Sequence, residues 1–202
     1  MVEQPRVGVL GGTFDPIHIA HLIIAEECRS QLDLAQVFFL PAGAPPHKLD
    51  KPLTDAESRV AMVRLAIANN PCFVVSRLDI DRPGPCYSAD TIELLRRQLV
   101  PDTAIFFIVG LDSLIDMPLW HDPLRLIQQC VLAVVGRPNY HADMDSLERQ
   151  LPGLHSHIRF VEVPQMEISS SMIQQRVRNG LPVKYQVLEV VERYIRTHRL
   201  YH

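Results

Sequence analysis

The stretch Val7-Gly8-Val9-Leu10-Gly11-Gly12-Thr13-Phe14-Asp15-Pro16-Ile17-His18-Ile19-Ala20-His21 decides how the rest of the chain is read. An apolar, β-branched run reads as a strand and breaks at two adjacent glycines. Without side chains there, backbone N–H groups can approach an anion closely. A helical pattern begins at His18, so His18 and His21 lie three residues apart on one face of its first turn. The start of a helix itself favours negative charge. The stretch is neither the Gly-x-Gly-x-x-Gly dinucleotide fingerprint nor a phosphate loop ending in Gly-Lys-Ser/Thr. A glycine turn, a helix start and two imidazoles aimed at one point suit a polyphosphate. Histidines at this spacing also occur as metal ligands or as ordinary core or surface residues. No third ligand stands at a recognisable spacing, so no metal site is assigned, and the glycine turn favours the phosphate reading.

Working outward, further short apolar runs recur at Val37–Leu40, Phe73–Val75, Ile105–Val109, Val131–Val135 and Ile158–Val161. Most are continuously apolar, as expected for strands buried on both faces of a parallel sheet. Helical patterns fall between them over His18 to Leu32, Asp55 to Ala68 and Ser88 to Leu99, each opening near a polar capping residue. The alternation predicts an α/β fold, a doubly wound Rossmann-like parallel sheet with helices on both faces. Right-handed crossovers would bring the loops leaving the strands to one edge. After Ile168-Ser169-Ser170-Ser171 a helix is expected to run to Asn179-Gly180. A C-terminal helix then carries Val187, Val190, Val191, Tyr194 and Ile195 on one apolar face. With no internal repeat or linker, the reading is one domain over residues 1–202.

Composition narrows the function classes. At 202 residues, 47% hydrophobic and 21% charged, the chain has the balance of a globular protein. The 16 prolines, scattered among apolar runs, indicate stiffened loops. A formal net charge of -3 argues against non-specific nucleic-acid or membrane binding. The four cysteines, Cys28, Cys72, Cys86 and Cys130, form no Cys-x-x-Cys pair and read as buried small hydrophobes. No apolar run approaches the ~18 residues of a membrane helix, and the first residues enter a strand pattern without a leader. The expectation is a cytoplasmic protein. Its oligomeric state is left open, a homo-oligomer included.

The Gly-Gly-Thr-Phe-Asp-Pro-x-His-x-x-His stretch resembles the signature of the nucleotidyltransferases that use a His-x-Gly-His motif. Ile168-Ser169-Ser170-Ser171-Met172-Ile173 resembles their second signature. Within that superfamily the chain is most similar to bacterial-type nicotinate-nucleotide adenylyltransferases. Pro45-Pro46-His47-Lys48, Tyr87-Ser88-Ala89-Asp90-Thr91, Gly110-Leu111-Asp112 followed by Trp120, and Gly136-Arg137-Pro138-Asn139-Tyr140 match in order over nearly the whole length. Two positions depart from the pattern. Ala20 stands where a glycine is usual between the histidines, and Gln174 stands where an arginine usually follows the second isoleucine.

The resemblance implies an enzyme of NAD biosynthesis that joins ATP and nicotinate mononucleotide to give deamido-NAD and pyrophosphate, with Mg²⁺ carried on the ATP. It places Gly11, Gly12, Thr13, Phe14, Gly110, Asp112, Ile168, Ser169, Ser170 and Ser171 around ATP. His18 and His21 would meet the phosphates as the catalytic pair. The mononucleotide would lie against His47, Lys48, Tyr87, Ser88, Trp120 and His121. Each role has a plainer counterpart: Asp112 as a helix cap, Lys48 as a surface lysine, Trp120 as core packing. Arg176 lies two positions beyond Gln174, about 200° around the helix, and so is not an automatic replacement for the missing arginine. Alternatives are adenylyl transfer to nicotinamide mononucleotide or another phosphate acceptor such as phosphopantetheine, and a non-catalytic nucleotide-binding module of the same fold.

Overall fold

The computed structural model of the chain describes residues 4–43, 53–136 and 142–202. Its elements are β1 (Arg6–Gly12), α1 (Ile19–Gln31), β2 (Gln36–Pro41), α2 (Ala56–Ile67), β3 (Phe73–Val75), α3 (Ser88–Arg96), β4 (Ala104–Gly110), α4 (Leu111–Asp116), α5 (Pro123–Gln129), β5 (Val131–Val135), α6 (Met144–Gln150), β6 (Ile158–Val161), α7 (Ser170–Arg178) and α8 (Glu189–Thr197). The strands form one six-stranded sheet in the order β3-β2-β1-β4-β5-β6. Every neighbouring pair is parallel. The doubly wound architecture expected from the sequence is the one observed.

The continuous apolar runs are explained by where alternate residues point. Phe106 and Ile108 of β4 belong to a core on the α1, α2, α7 and α8 side, with Met62, Ile173, Val191 and Ile195. Ile105, Phe107 and Val109 belong to a second core with Ile92, Leu114 and Leu126 of α3, α4 and α5. A strand with both faces buried has no polar side to show, which is why period-two alternation is missing from the sequence. The C-terminal face reads as expected: Val187, Val191 and Ile195 are buried, and Val190 and Tyr194 pack beside them.

Some details differ from the sequence reading. Helix α3 stops at Arg96 rather than Leu99, because the Gln98 and Leu99 amides turn to the carbonyls three residues back, Leu95 and Arg96. Helices α4, α5 and α6 add to the expected set; each is only six or seven residues long, too short for a periodic pattern to register. All four cysteines are free thiols. Cys28 and Cys130 are buried as expected, and burial pushes both thiols up to about 12. Cys72 and Cys86 are only half-buried, and Cys86 faces the cavity described below. Among the described residues no helix is long and apolar enough to cross a membrane.

Candidate active site

The site sits where the winding direction reverses. Strand β1 pairs with β4 only as far as Leu10 opposite Ile108. Beyond that, β1 stays with β2 to Gly12 opposite Pro41, and β4 stays with β5 to Gly110 opposite Val135. The two halves of the sheet part at their C-terminal ends, the place where open α/β sheets hold ligands. A cavity of about 690 Å³ occupies the cleft. Its lining includes Gly11, Gly12, Thr13, Phe14, His18, His21, Tyr87, Ser88, Gly110, Asp112, Trp120, His121 and Ile168 to Ser171. Residues scattered over more than 150 positions of sequence thus share one enclosure. His47, Lys48 and residues 137–140 of the Gly-Arg-Pro-Asn-Tyr motif lie outside the described residues.

The turn after β1 is built to hold its shape. Phe14 adopts a positive φ of 48°, and the Asp15–Pro16 peptide is cis. The Phe14 ring is buried, 5.8 Å from Phe39 and edge-on to His21 at 5.0 Å. Phe14 thus lines the cavity while its side chain anchors the turn in the core.

His18 occupies the N-cap of α1 and is 6% exposed. Its main-chain N–H donates to Nδ1 of His21 at 3.2 Å. That bond requires a bare Nδ1, so the proton of neutral His21 sits on Nε2, leaving this nitrogen a hydrogen-bond donor. The two rings stack with centroids 3.7 Å apart. Burial lowers the His18 imidazole to about 4. Burial, and then the neighbouring charge of His18, hold His21 well below the usual range. Both are neutral at pH 7. His18 Nδ1 is buried with no hydrogen-bond partner among the described residues, and His18 is one of the residues lining the cavity. Ala20, where the motif usually has glycine, lines the same wall.

Across the cleft, the cap of α4 is Gly110, and Asp112 is not a cap but lies within the first turn. Its carboxylate accepts the Ser113 amide at 2.9 Å and folds back over Gly110. A Cβ on residue 110 would meet Asp112 Oδ1 at 2.3 Å, so only glycine lets the carboxylate stand there. Trp120 packs edge-on against Phe107 at 6.4 Å and also lines the cavity. His121 stacks on Tyr87 at 4.1 Å, a second flat surface beside it.

At the start of α7 two of the serine hydroxyls also serve the fold. Ser169 caps the helix by accepting the Met172 amide at 3.2 Å, and Ser170 donates to the Pro16 carbonyl at 2.9 Å. Ser171 is exposed at the cavity edge. This helix start therefore offers a ligand its main-chain N–H groups together with the hydroxyl protons of Ser169 and Ser171. Gln174 donates to the Asp15 carbonyl at 2.7 Å, tying α7 to the turn after β1. Arg176 points elsewhere and donates to the Pro182 carbonyl at 2.9 and 2.8 Å, as the 200° offset predicts.

The sequence reading missed two buried polar groups. Asp79 borders the cavity; it accepts from the Thr91 hydroxyl at 2.6 Å and pairs with Arg82 at 3.2 Å, while burial pushes its carboxyl upward. Arg82 also donates to the carbonyl of Tyr87, the residue before α3. A Cβ on Gly43 would come within 2.0 Å of the Asp79 carbonyl oxygen, so the exit from β2 and this cluster are pressed together. The second missed group is Arg59, 2% exposed, on the core-facing side of α2 with Val63 and Ala66. An arginine at helical spacing from apolar residues was its signal. Among the described residues no group of three His, Cys, Asp or Glu side chains could hold a metal ion.

A family model described as cytidylyltransferase-like matches residues 9–176. A protein of Thermomicrobium roseum, named as a probable nicotinate-nucleotide adenylyltransferase, is 45% identical over 97% of this chain and 91% of its own length. One of the same name from Moorella thermoacetica is 44% identical over 100% of this chain and 94% of its own. In fold, the chain is similar to the Plasmodium falciparum nicotinic acid mononucleotide adenylyltransferase solved with NaAD. That likeness has a TM-score of 0.79 over 98% of both chains at 19% identity.

Proposed function

Since the chain belongs to the cytidylyltransferase-like family, and within it to the nicotinate-nucleotide adenylyltransferases, we propose that it joins ATP and nicotinate mononucleotide to give deamido-NAD and pyrophosphate in NAD biosynthesis. The observation that carries the reading is the cleft itself: both signature motifs, from opposite ends of the chain, line one cavity with the stacking surfaces of Trp120 and Tyr87–His121.

An oxygen of the mononucleotide phosphate attacks the α-phosphorus of ATP in line. The new P–O bond forms as the bond to the bridging α,β-oxygen breaks, and its electron pair leaves with pyrophosphate. The nucleophile is already an anion near neutral pH, so no strong base is required. Catalysis rests on positioning and on charge stabilisation. His21 Nε2–H is a ready donor to a phosphate oxygen, and His18, which lines the same cavity, offers a second contact. Phosphate charge arriving beside them offsets the burial that keeps both rings neutral, and so favours imidazolium as negative charge grows on the leaving group. The amides of the Gly11–Phe14 turn and of the α7 start supply further donors. Asp112 accepts from ribose hydroxyls, and Ile168 borders the adenine. Magnesium enters as part of the nucleotide substrate and neutralises the pyrophosphate.

On the acceptor side, Trp120 stacks on the pyridine ring. Tyr87, Ser88 and His121 stand where its carboxylate is read, and His47 and Lys48 meet the mononucleotide phosphate. The place of work is the cytoplasm, where these small molecules are made and used. The test is pyrophosphate release from ATP and Mg²⁺ with nicotinate mononucleotide, nicotinamide mononucleotide and phosphopantetheine offered separately. Release with nicotinate mononucleotide alone is expected. Equal rates with nicotinamide mononucleotide would remove the carboxylate as the selecting group, and ATP binding without release would make the fold a binding module.

A further inference from the structure

Arg59 uses its fork on three separate pieces of main chain. Nε donates to the Thr54 carbonyl at 2.9 Å, and one Nη donates to the carbonyls of Thr13 at 2.9 Å and Ala42 at 2.8 Å. Thr13 belongs to the glycine turn after β1. Ala42 follows β2, and Thr54 precedes α2, so these two flank the segment that carries His47 and Lys48. Asp15 works in the same place: Oδ2 accepts the Thr54 amide at 3.1 Å and Oδ1 accepts the Tyr201 hydroxyl at 2.6 Å. Asp15 is 3% exposed, and burial together with Asp15 holds the Tyr201 phenol well above its usual range.

A buried guanidinium is costly in free energy and is tolerated only when its donors are satisfied. An apolar side chain would fill the same space on α2 without that cost, but it could not gather three carbonyls. Thr13 and Ala42 lie just past the ends of their strands, where the Ala42 amide makes a last cross-strand bond to the Gly12 carbonyl at 2.8 Å. Their carbonyls come together on one planar donor group, a geometry that a lysine ammonium does not reproduce.

We propose that Arg59, braced by Asp15 and Tyr201, is a positioning residue that sets the ATP-side turn in register with the exit from β2, which is pressed against the Asp79–Arg82 cluster that holds Tyr87 on the acceptor side of the cleft. The inference rests on the adenylyl-transfer reading above. It assigns Arg59 no contact with either substrate. Its effect is on the relative placement of the two reactants, so it acts on turnover more than on the binding of either one alone. Misplacement by about 1 Å costs on the order of 100-fold in rate.

The test compares wild type, Arg59→Lys and Tyr201→Phe, each at a temperature well below its own unfolding midpoint. Dissociation constants are measured separately for a non-hydrolysable ATP analogue with Mg²⁺ and for nicotinate mononucleotide, alongside kcat. For Arg59→Lys, kcat is expected to fall roughly 100-fold while each dissociation constant stays within about threefold. Tyr201→Phe loosens only the brace and is expected to show the same pattern at about a tenth of that amplitude. Arg59 as a merely structural group would lower the midpoint and leave the kcat of folded enzyme within twofold in both variants, which would overturn the proposal. If Arg59→Lys does not fold, Tyr201→Phe decides by the same criterion. Wild type that binds ATP but releases no pyrophosphate with any acceptor would instead be a failure of the functional reading.

Discussion

Two polar clusters lie buried beneath the same cleft, and they are opposites. Around Arg59, every contact is supplied from within: three carbonyls take the guanidinium, and Asp15 takes an amide and a phenol. At His18 and His21 the protein leaves work undone. The rings are stacked and neutral, His21 has its proton on the nitrogen away from the backbone, and His18 Nδ1 has no partner among the described residues. The contrast separates two uses of buried polarity. A closed cluster fixes shape, whereas an open one keeps capacity for a ligand.

Breaking the closed cluster has the largest expected effect. Arg59→Met leaves the carbonyls of Thr13, Ala42 and Thr54 without this donor, and stability should drop by about 3–5 kcal/mol. Denaturant midpoints at constant slope check this. A loss under about 1 kcal/mol would mean that the carbonyls find other partners.

The open cluster should announce itself through pH. In the unfolded chain His18 takes a proton near pH 6.5, and in the folded chain only near pH 4. Between those values the unfolded state binds more protons, so stability rises with pH and is lost as pH falls through the window. The shift corresponds to about 3 kcal/mol across it. His18→Asn should flatten that slope relative to wild type in unfolding curves taken from pH 7 to 4. An unchanged slope would contradict the buried, neutral imidazole.

Next in size is the catalytic use of the same residue. His18→Ala should reduce kcat by about 100-fold, some 2.7 kcal/mol, while ATP affinity changes only a few-fold. Equal turnover would remove His18 from the reaction. The smallest effect is expected at Arg176, whose guanidinium is held by the Pro182 carbonyl. Arg176→Ala should cost less than about 1 kcal/mol in stability and leave KM for ATP unchanged. A tenfold rise in that KM would show that it replaces the arginine missing at Gln174.

The same contrast explains what was legible in the chain. Strand positions stood out because both faces of the sheet are buried, and the histidine pair stood out because two imidazoles after a glycine turn have a chemical purpose visible in one dimension. Arg59 was missed because its partners are main-chain carbonyls, which leave only its helical spacing from apolar residues as a trace, and Asp79 because a carboxylate near an arginine and a threonine in a polar stretch looks like ordinary surface. Ser169 and Ser170 were placed around ATP by resemblance alone, and the fold adds roles that the sequence does not reveal: Ser169 accepts the Met172 amide as a helix cap, and Ser170 donates to the Pro16 carbonyl. Gln174 had looked like a loss of charge. In the fold it is a tie to Asp15, at the junction between the two clusters.

The measurement that bears most directly on the account follows the α-phosphorus. With ATP labelled at the α-phosphate, nicotinate mononucleotide and Mg²⁺, the label should appear in a dinucleotide one adenylyl unit heavier than the acceptor, and the pyrophosphate should be unlabelled. Label recovered as free AMP, or left in ATP while the nucleotide remains bound, would contradict adenylyl transfer.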